Sequence, residues 1–93
     1  IVINIIFDLG VALTTKNLLI NSSAYTLVSA VSYGFIENTT GEVVEYAAAT
    51  SLPSATFIGH SLQINESRWW ELKSGESLYA KTKQATGLIT YTE

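Results

Sequence analysis

The stretch Tyr25-Thr26-Leu27-Val28-Ser29-Ala30-Val31-Ser32-Tyr33-Gly34-Phe35-Ile36 decides the fold class. On an extended chain Tyr25, Leu27, Val31, Tyr33 and Phe35 share one side. Thr26, Val28, Ala30, Ser32 and Ile36 share the other. Apolar, β-branched and aromatic residues at a period of two predict a strand. It is the longest strand the sequence predicts, with Gly34 marking a bulge or a bend.

The same pattern recurs on both sides of it. Ile1, Ile3, Ile5, Phe7 and Leu9 occupy the odd positions at the start, with Asn4 and Asp8 between them and Gly10 after them. Leu18 to Ile20 is a second apolar piece, closed by the polar turn Asn21-Ser22-Ser23. Downstream, Asn38-Thr39-Thr40-Gly41 has turn composition. Glu42 to Thr50 is open to two readings. Val43, Val44, Ala47 and Ala48 are helically spaced, and Thr39 with Glu42 makes a capping-box pattern. Val43, Val44 and Tyr46 favour a strand, which is the preferred reading. Leu52-Pro53 breaks the segment. Ala55 to Ile58, Leu62 to Ile64 and Arg68 to Leu72 are further short strands, the last turning at Lys73-Ser74-Gly75-Glu76. Leu78 to Thr82 and Leu88 to Tyr91 read as a hairpin across Gln84-Ala85-Thr86-Gly87. The expectation is an all-β chain, a single antiparallel β-sandwich or small barrel of about seven to nine short strands.

Composition agrees with one small domain over residues 1–93. A chain of 93 residues buries about 64 % of the surface it exposes when unfolded, enough for one modest core. Hydrophobic residues make up 47 % and charged residues 14 %, against about 25 % charged in soluble domains. That balance excludes disorder and suggests surface that a partner covers. Five Lys+Arg against eight Asp+Glu, net −3, argue against nucleic acid as a partner. The short apolar runs argue against a membrane span. No cysteine is present, so no disulfide framework or thiolate metal site is expected. The absence of Met suggests that the chain was cut or that residues precede Ile1.

Residues that could carry chemistry are few. His60 is the single histidine and Asp8 the single aspartate, with no nucleophile-elbow motif around any serine. Glu42 with Glu45 and Glu71 with Glu76 read as solvated turn charges rather than a metal site. No catalytic residue, metal or cofactor is expected, and an enzyme is the least favoured class. Three glycosylation sequons begin at Asn21, Asn38 and Asn65, all in turn-like stretches where Asn serves hydrogen bonding.

The pair Trp69-Trp70 is more informative. Neighbours on a strand point to opposite faces. Trp70 shares its face with Leu72, and Trp69 shares its face with Glu71 and Lys73. Trp70 is therefore expected inside and Trp69 outside, as an interface anchor or a platform for a sugar ring. Tyr79 alternates with Lys81 and Lys83 to form a small basic strip on a solvated outer face. The segment carrying Ile1, Ile3 and Ile5 is either an edge strand of its own sheet or a strand added to a neighbour's.

Five stretches carry a resemblance: Leu9 to Thr15, Ala24 to Val28, Ile36 to Glu42, Trp70 to Ala80 and Thr86 to Glu93. Within Trp70 to Ala80, the run Leu72-Lys73-Ser74-Gly75-Glu76-Ser77-Leu78 is the most characteristic. In this order they resemble small all-β structural proteins of tailed-bacteriophage virions. Ser51 to Glu66 and Trp69 depart from that pattern. The resemblance implies a non-enzymatic virion protein without cofactor, most readily a capsid decoration or cement subunit. Its partners would be further copies of itself and other virion proteins such as the major capsid protein, and its location the virion. A neck, tail or fibre-attachment component is the alternative within that class. A carbohydrate-binding module using Trp69 and Tyr79, or an adhesive sandwich, is the alternative outside it.

Overall fold

A computed structural model describes residues 13–93, all in strands, turns and connecting loops. The strand expected over Ile1 to Leu9 lies outside the described residues, as do Ile1, Ile3, Ile5 and Asp8. Eight strands follow: β1 (Thr15–Ile20), β2 (Thr26–Ser29), β3 (Tyr33–Glu37), β4 (Val44–Ala49), β5 (His60–Leu62), β6 (Ser67–Glu71), β7 (Ser77–Thr82) and β8 (Gly87–Thr92). They form two four-stranded antiparallel sheets, β1-β8-β3-β6 (sheet A) and β2-β7-β4-β5 (sheet B). This is a sandwich, the first of the two expected architectures. The preferred strand reading of Glu42 to Thr50 also holds, as β4.

Alternation places the core. Ile20, Ile36, Trp70 and Ile89 of sheet A meet Val28, Val44, Leu62, Leu78 and Ala80 of sheet B, all buried. Burying each large aliphatic side chain contributes about 1.5–3 kcal/mol.

Five local expectations are corrected. Tyr25 to Ile36 is not one strand. It divides into β2 and β3, which belong to different sheets, and residues 30–32 cross between them. The crossing is held by side chains: Ser29 Oγ accepts from Val31 N (3.0 Å) and Trp70 Nε1 donates to Val31 O (2.9 Å). Gly34 is neither bulge nor bend. It pairs regularly with Trp70, and a Cβ there would lie 2.3 Å from the indole ring. Glycine is required because the ring occupies the space a side chain would need. The register shift lies instead between Leu27 and Ser29 of β2.

β7 and β8 are strands, but not a hairpin. β7 pairs with β2 and β4, and β8 with β1 and β3, so residues 83–86 arch from one sheet to the other. Of the seven connections between described strands, only β4 to β5 stays within one sheet. Finally, residues 55–56 form a turn, with Phe57 N donating to Ser54 O (3.0 Å), and 57–58 continue as loop rather than strand. The following strand is His60–Leu62 rather than Leu62 to Ile64.

Several arches converge on Asn38, which is completely buried. Its Nδ2 donates to Glu42 O (2.6 Å) and Leu62 O (2.9 Å), and its Oδ1 accepts from Thr40 N (3.0 Å) and Thr40 Oγ1 (2.7 Å). Its backbone amide donates to Glu66 O and its carbonyl accepts from Asn65 N. Leaving any of these buried groups unpaired costs about 1–3 kcal/mol. Asn65 itself adopts a left-handed φ of 62°, a conformation Asn tolerates better than most residues.

Candidate interaction surface

The outer face of sheet A combines hydroxyls and apolar side chains with two carboxylates, Glu37 and Glu71. Across its middle, hydroxyls bond one another: Thr15 Oγ1 with Thr92 Oγ1 (3.0 Å), Thr90 Oγ1 with Asn17 Oδ1 (3.1 Å) and with Thr39 Oγ1 (3.2 Å). Leu19 and Leu88, cross-strand partners, are exposed at one side. At the other side β3 and β6 bring three aromatics together. Trp69 stacks on Tyr33 with centroids 5.2 Å apart and planes 13° from parallel, and meets Phe35 at 4.7 Å and 56°. Phe35 is the direct cross-strand partner of Trp69, and Tyr33 is its diagonal neighbour.

The expected division of the tryptophans holds. Trp70 is 5 % exposed and Trp69 58 %. Tyr33 and Phe35 were not anticipated as partners of Trp69, because their meeting depends on β3 pairing with β6 across about thirty residues. Only their common face was readable, from their spacing of two.

Tyr79 is elsewhere. It faces out from sheet B, opposite Leu27 and Ala47, and does not join Trp69. The basic strip beside it is corrected by the structure. Lys81 retains only 12 % of its side-chain exposure and lies 3.8 Å from Glu45, and Lys83 lies 3.6 Å from the same carboxylate. Tyr25 completes the cluster, with its hydroxyl 3.4 Å from Glu45 and donating to Phe57 O at 2.8 Å. Burial and the Glu45 charge together raise the Tyr25 pKa. Lys81 also lies 5.9 Å from the centre of the Tyr25 ring. Lys81 is thus part of a covered network around Glu45 rather than of a solvated face, while Lys83 stays half-exposed as expected.

On one lateral side of the sandwich, the edge strands β5 and β6 border an open slot. A cavity of about 430 Å³ is lined there by Tyr46, Ala48, His60, Trp70, Leu72 and Leu78, with Phe57, Ile58 and Trp69 at its rim. Ala48 pairs with the core residue Leu78 and points inward, yet it is exposed. The slot exists because β5 is three residues long and pairs only with Val44, Glu45 and Tyr46. Among the described residues, Ala47–Ala49 therefore have no strand beside them on that side.

The residues considered for chemistry have structural occupations. His60 pairs across the ladder with Tyr46, its ring 5.4 Å away, and is a strand residue rather than a loop one. The Glu42 carboxylate accepts from Gln84 N and Ala85 N, and these bonds lower its pKa. Glu76 accepts from Lys73 N, closing the turn that contains Gly75. Glu71 is exposed opposite Tyr33. Among the described residues, no group of three or more His, Cys, Asp or Glu side chains is placed to hold a metal ion. Of the sequon asparagines, Asn21 caps its own turn by accepting from Ser23 N and Ala24 N. Asn38 has its amide buried, which leaves no room for a glycan in the folded chain.

Comparison with known proteins gives no matching family model, no matching curated protein and no matching solved structure.

Proposed function

We propose that this chain is a non-enzymatic structural subunit of a virion, a capsid decoration or cement protein that works by surface burial. The observation that carries the reading is the solvent-facing Tyr33–Trp69–Phe35 cluster beside the row of hydroxyls on the outer face of sheet A. Fully buried centres of protein interfaces are enriched in aromatics and depleted in charge. An anchor such as Trp69, ringed by near-neutral contacts, is the usual energetic pattern. An interface of standard size would take about 800 Å² from each partner. The engagement of Glu42, Glu45, Glu66 and Glu93 in structural bonds supports a role without catalysis. The resemblance of Leu72 to Leu78 and the flanking segments to phage virion proteins supplies the setting.

Two measurements test this. An antibody raised against the chain should label tailed-phage particles from its source in immunogold electron microscopy, and unlabelled particles would remove the virion setting. Sedimentation of the purified chain should show concentration-dependent association that Trp69→Ala weakens at least tenfold. Unchanged association would remove the anchor role. A second reading, sugar binding, is favoured only by the solvent-facing ring of Trp69. A monomer that binds glycans and loses them in Trp69→Ala would establish it instead. Tyr79 could not assist on the same ring, since it faces out from the other sheet.

A further inference from the structure

We infer that the lateral slot between β5 and β6 is a binding site for a small organic cation with an apolar body, an alkyl- or arylalkyl-ammonium. This goes beyond the assembly reading above and does not depend on it.

The walls of the slot are fixed by bonds made outside it. Trp70 is held from behind, with Nε1 donating to Val31 O at 2.9 Å and its ring lying against Gly34. On the facing side the Tyr25 hydroxyl donates to Phe57 O at 2.8 Å, which sets the rim carrying Phe57 and Ile58. Gly59 lies so close to β4 that a Cβ there would come 2.5 Å from Tyr46 O, so the loop reaches this position only with glycine. Next to it Tyr46 and His60 are cross-strand partners with rings 5.4 Å apart. A site whose walls are held independently of its contents needs little ordering when a ligand enters. Its volume of about 430 Å³ falls within the range of small-molecule sites, about 300–1,000 Å³.

The lining selects the chemistry of the ligand. Five of the lining residues, Tyr46, Phe57, His60, Trp69 and Trp70, are aromatic. Such rings take an apolar body, and their faces attract a cation. Glu71 also borders the slot, exposed at the end of β6, and among the described residues no Lys or Arg does. Four of the chain's five basic side chains are engaged elsewhere: Lys16 with Glu93, Arg68 with Glu66, and Lys81 and Lys83 with Glu45. The fifth, Lys73, follows the end of β6 and does not line the slot. Glu71 takes part in none of those ion pairs. The mouth of an aromatic cavity therefore carries one carboxylate and no compensating base. An anionic ligand would be repelled there, and an ammonium attracted. With its hydrocarbon body among the rings, such a ligand keeps its charged head at the wet rim beside Glu71.

Both tryptophans of the chain border the slot, so their indole N–H signals report on it directly. Phenethylammonium titrated into the full chain should shift both signals, together with the amides of Ala48 and His60, along one saturable curve. The neutral 2-phenylethanol should bind about threefold more weakly, the scale of a partly exposed ion pair. The anionic 3-phenylpropanoate should bind more weakly still. Glu71→Gln should remove the preference for the ammonium and keep the binding of the alcohol. Ala48→Leu, which fills the slot, should abolish saturable binding at the same concentrations, and Ala48→Val replaces it if that variant does not fold. Shifts that do not saturate, or that centre away from these residues, would overturn the proposal. So would an equal or reversed ranking of the ligands, a Glu71→Gln chain that still prefers the cation, or undiminished binding to a folded Ala48 variant. Self-association is read separately by sedimentation, so the two readings fail independently.

Discussion

The two outer faces of the sandwich handle their apolar residues in opposite ways. On sheet B the loop over residues 50–59 turns back, and Tyr25, Glu45 and Ala47 are buried beneath or beside it. Among the described residues no loop returns over sheet A, and Tyr33 and Trp69 stay exposed, stacked on each other with Phe35 beside Trp69. The first face satisfies itself within one chain. The second is organised sideways, its rings and hydroxyls bonding along the sheet rather than to a cover.

The sharpest test of the contrast is the adjacent tryptophans. Trp70→Ala should cost about 3–5 kcal/mol in chemical denaturation, as a core aromatic does. Trp69→Ala should cost only about 1 kcal/mol, the stacking with its neighbours. Equal losses would show that the outer cluster is a second core. Gly34→Ala comes next, at about 1–3 kcal/mol, because the new methyl meets the Trp70 ring and Thr92 O. A neutral result would show that β3 and β6 can separate at no cost. On the covered face, Tyr25→Phe should lose about 1 kcal/mol with the Phe57 hydrogen bond. Amide exchange should then speed up over residues 54–59 and not over β6.

Glu42, Glu66 and Glu93 are held below the ordinary value of 4.5 by hydrogen bonds, chiefly from Ala85 N, Gln63 N and Lys16 Nζ respectively. A carboxyl with a depressed folded pKa stabilises fully above its unfolded value and loses that contribution as pH falls through the folded one. The melting temperature should therefore be flat above about pH 5 and fall below the ordinary carboxyl range. The smallest effect belongs to Thr82, whose buried Oγ1 has no hydrogen-bond partner among the described residues. Thr82→Val should be neutral or stabilise by up to about 1 kcal/mol. A clear loss would reveal a partner for the hydroxyl.

What could be read from the sequence follows from what strand periodicity encodes. Alternation reports which side of an extended backbone faces a core, so the strands and the inside-outside split of Trp69-Trp70 were legible. It does not report which sheet a strand joins. A chain crossing from one sheet to the other can keep its period of two, as Ser29 to Tyr33 does, and two strands then read as one. Turn composition has the same blindness. Gln84-Ala85-Thr86-Gly87 suits a hairpin, but here Glu42, distant in sequence, supplies the bonds that hold residues 83–86 as an arch. The slot was out of reach for a similar reason, since it depends on where β5 stops and on which edge lies above it. His60 on the ladder and the burial of Lys81 depend likewise on partners found only in the folded sheet.

The repeated crossing between sheets also constrains the order in which the fold can arise. Among the described residues β1 finds its ladder only with β8, and β2 only with β7. A ribosome emitting this chain from its first strand therefore releases β1 and β2 with no available neighbour. Sheet B cannot close until the segment through Thr82 has emerged, nor sheet A until Thr92 has. Topologies dominated by such distant pairings fold in about milliseconds to seconds. For that interval Leu18, Ile20 and Val28 are unprotected, and the nascent chain depends on speed or on an escort rather than on local structure.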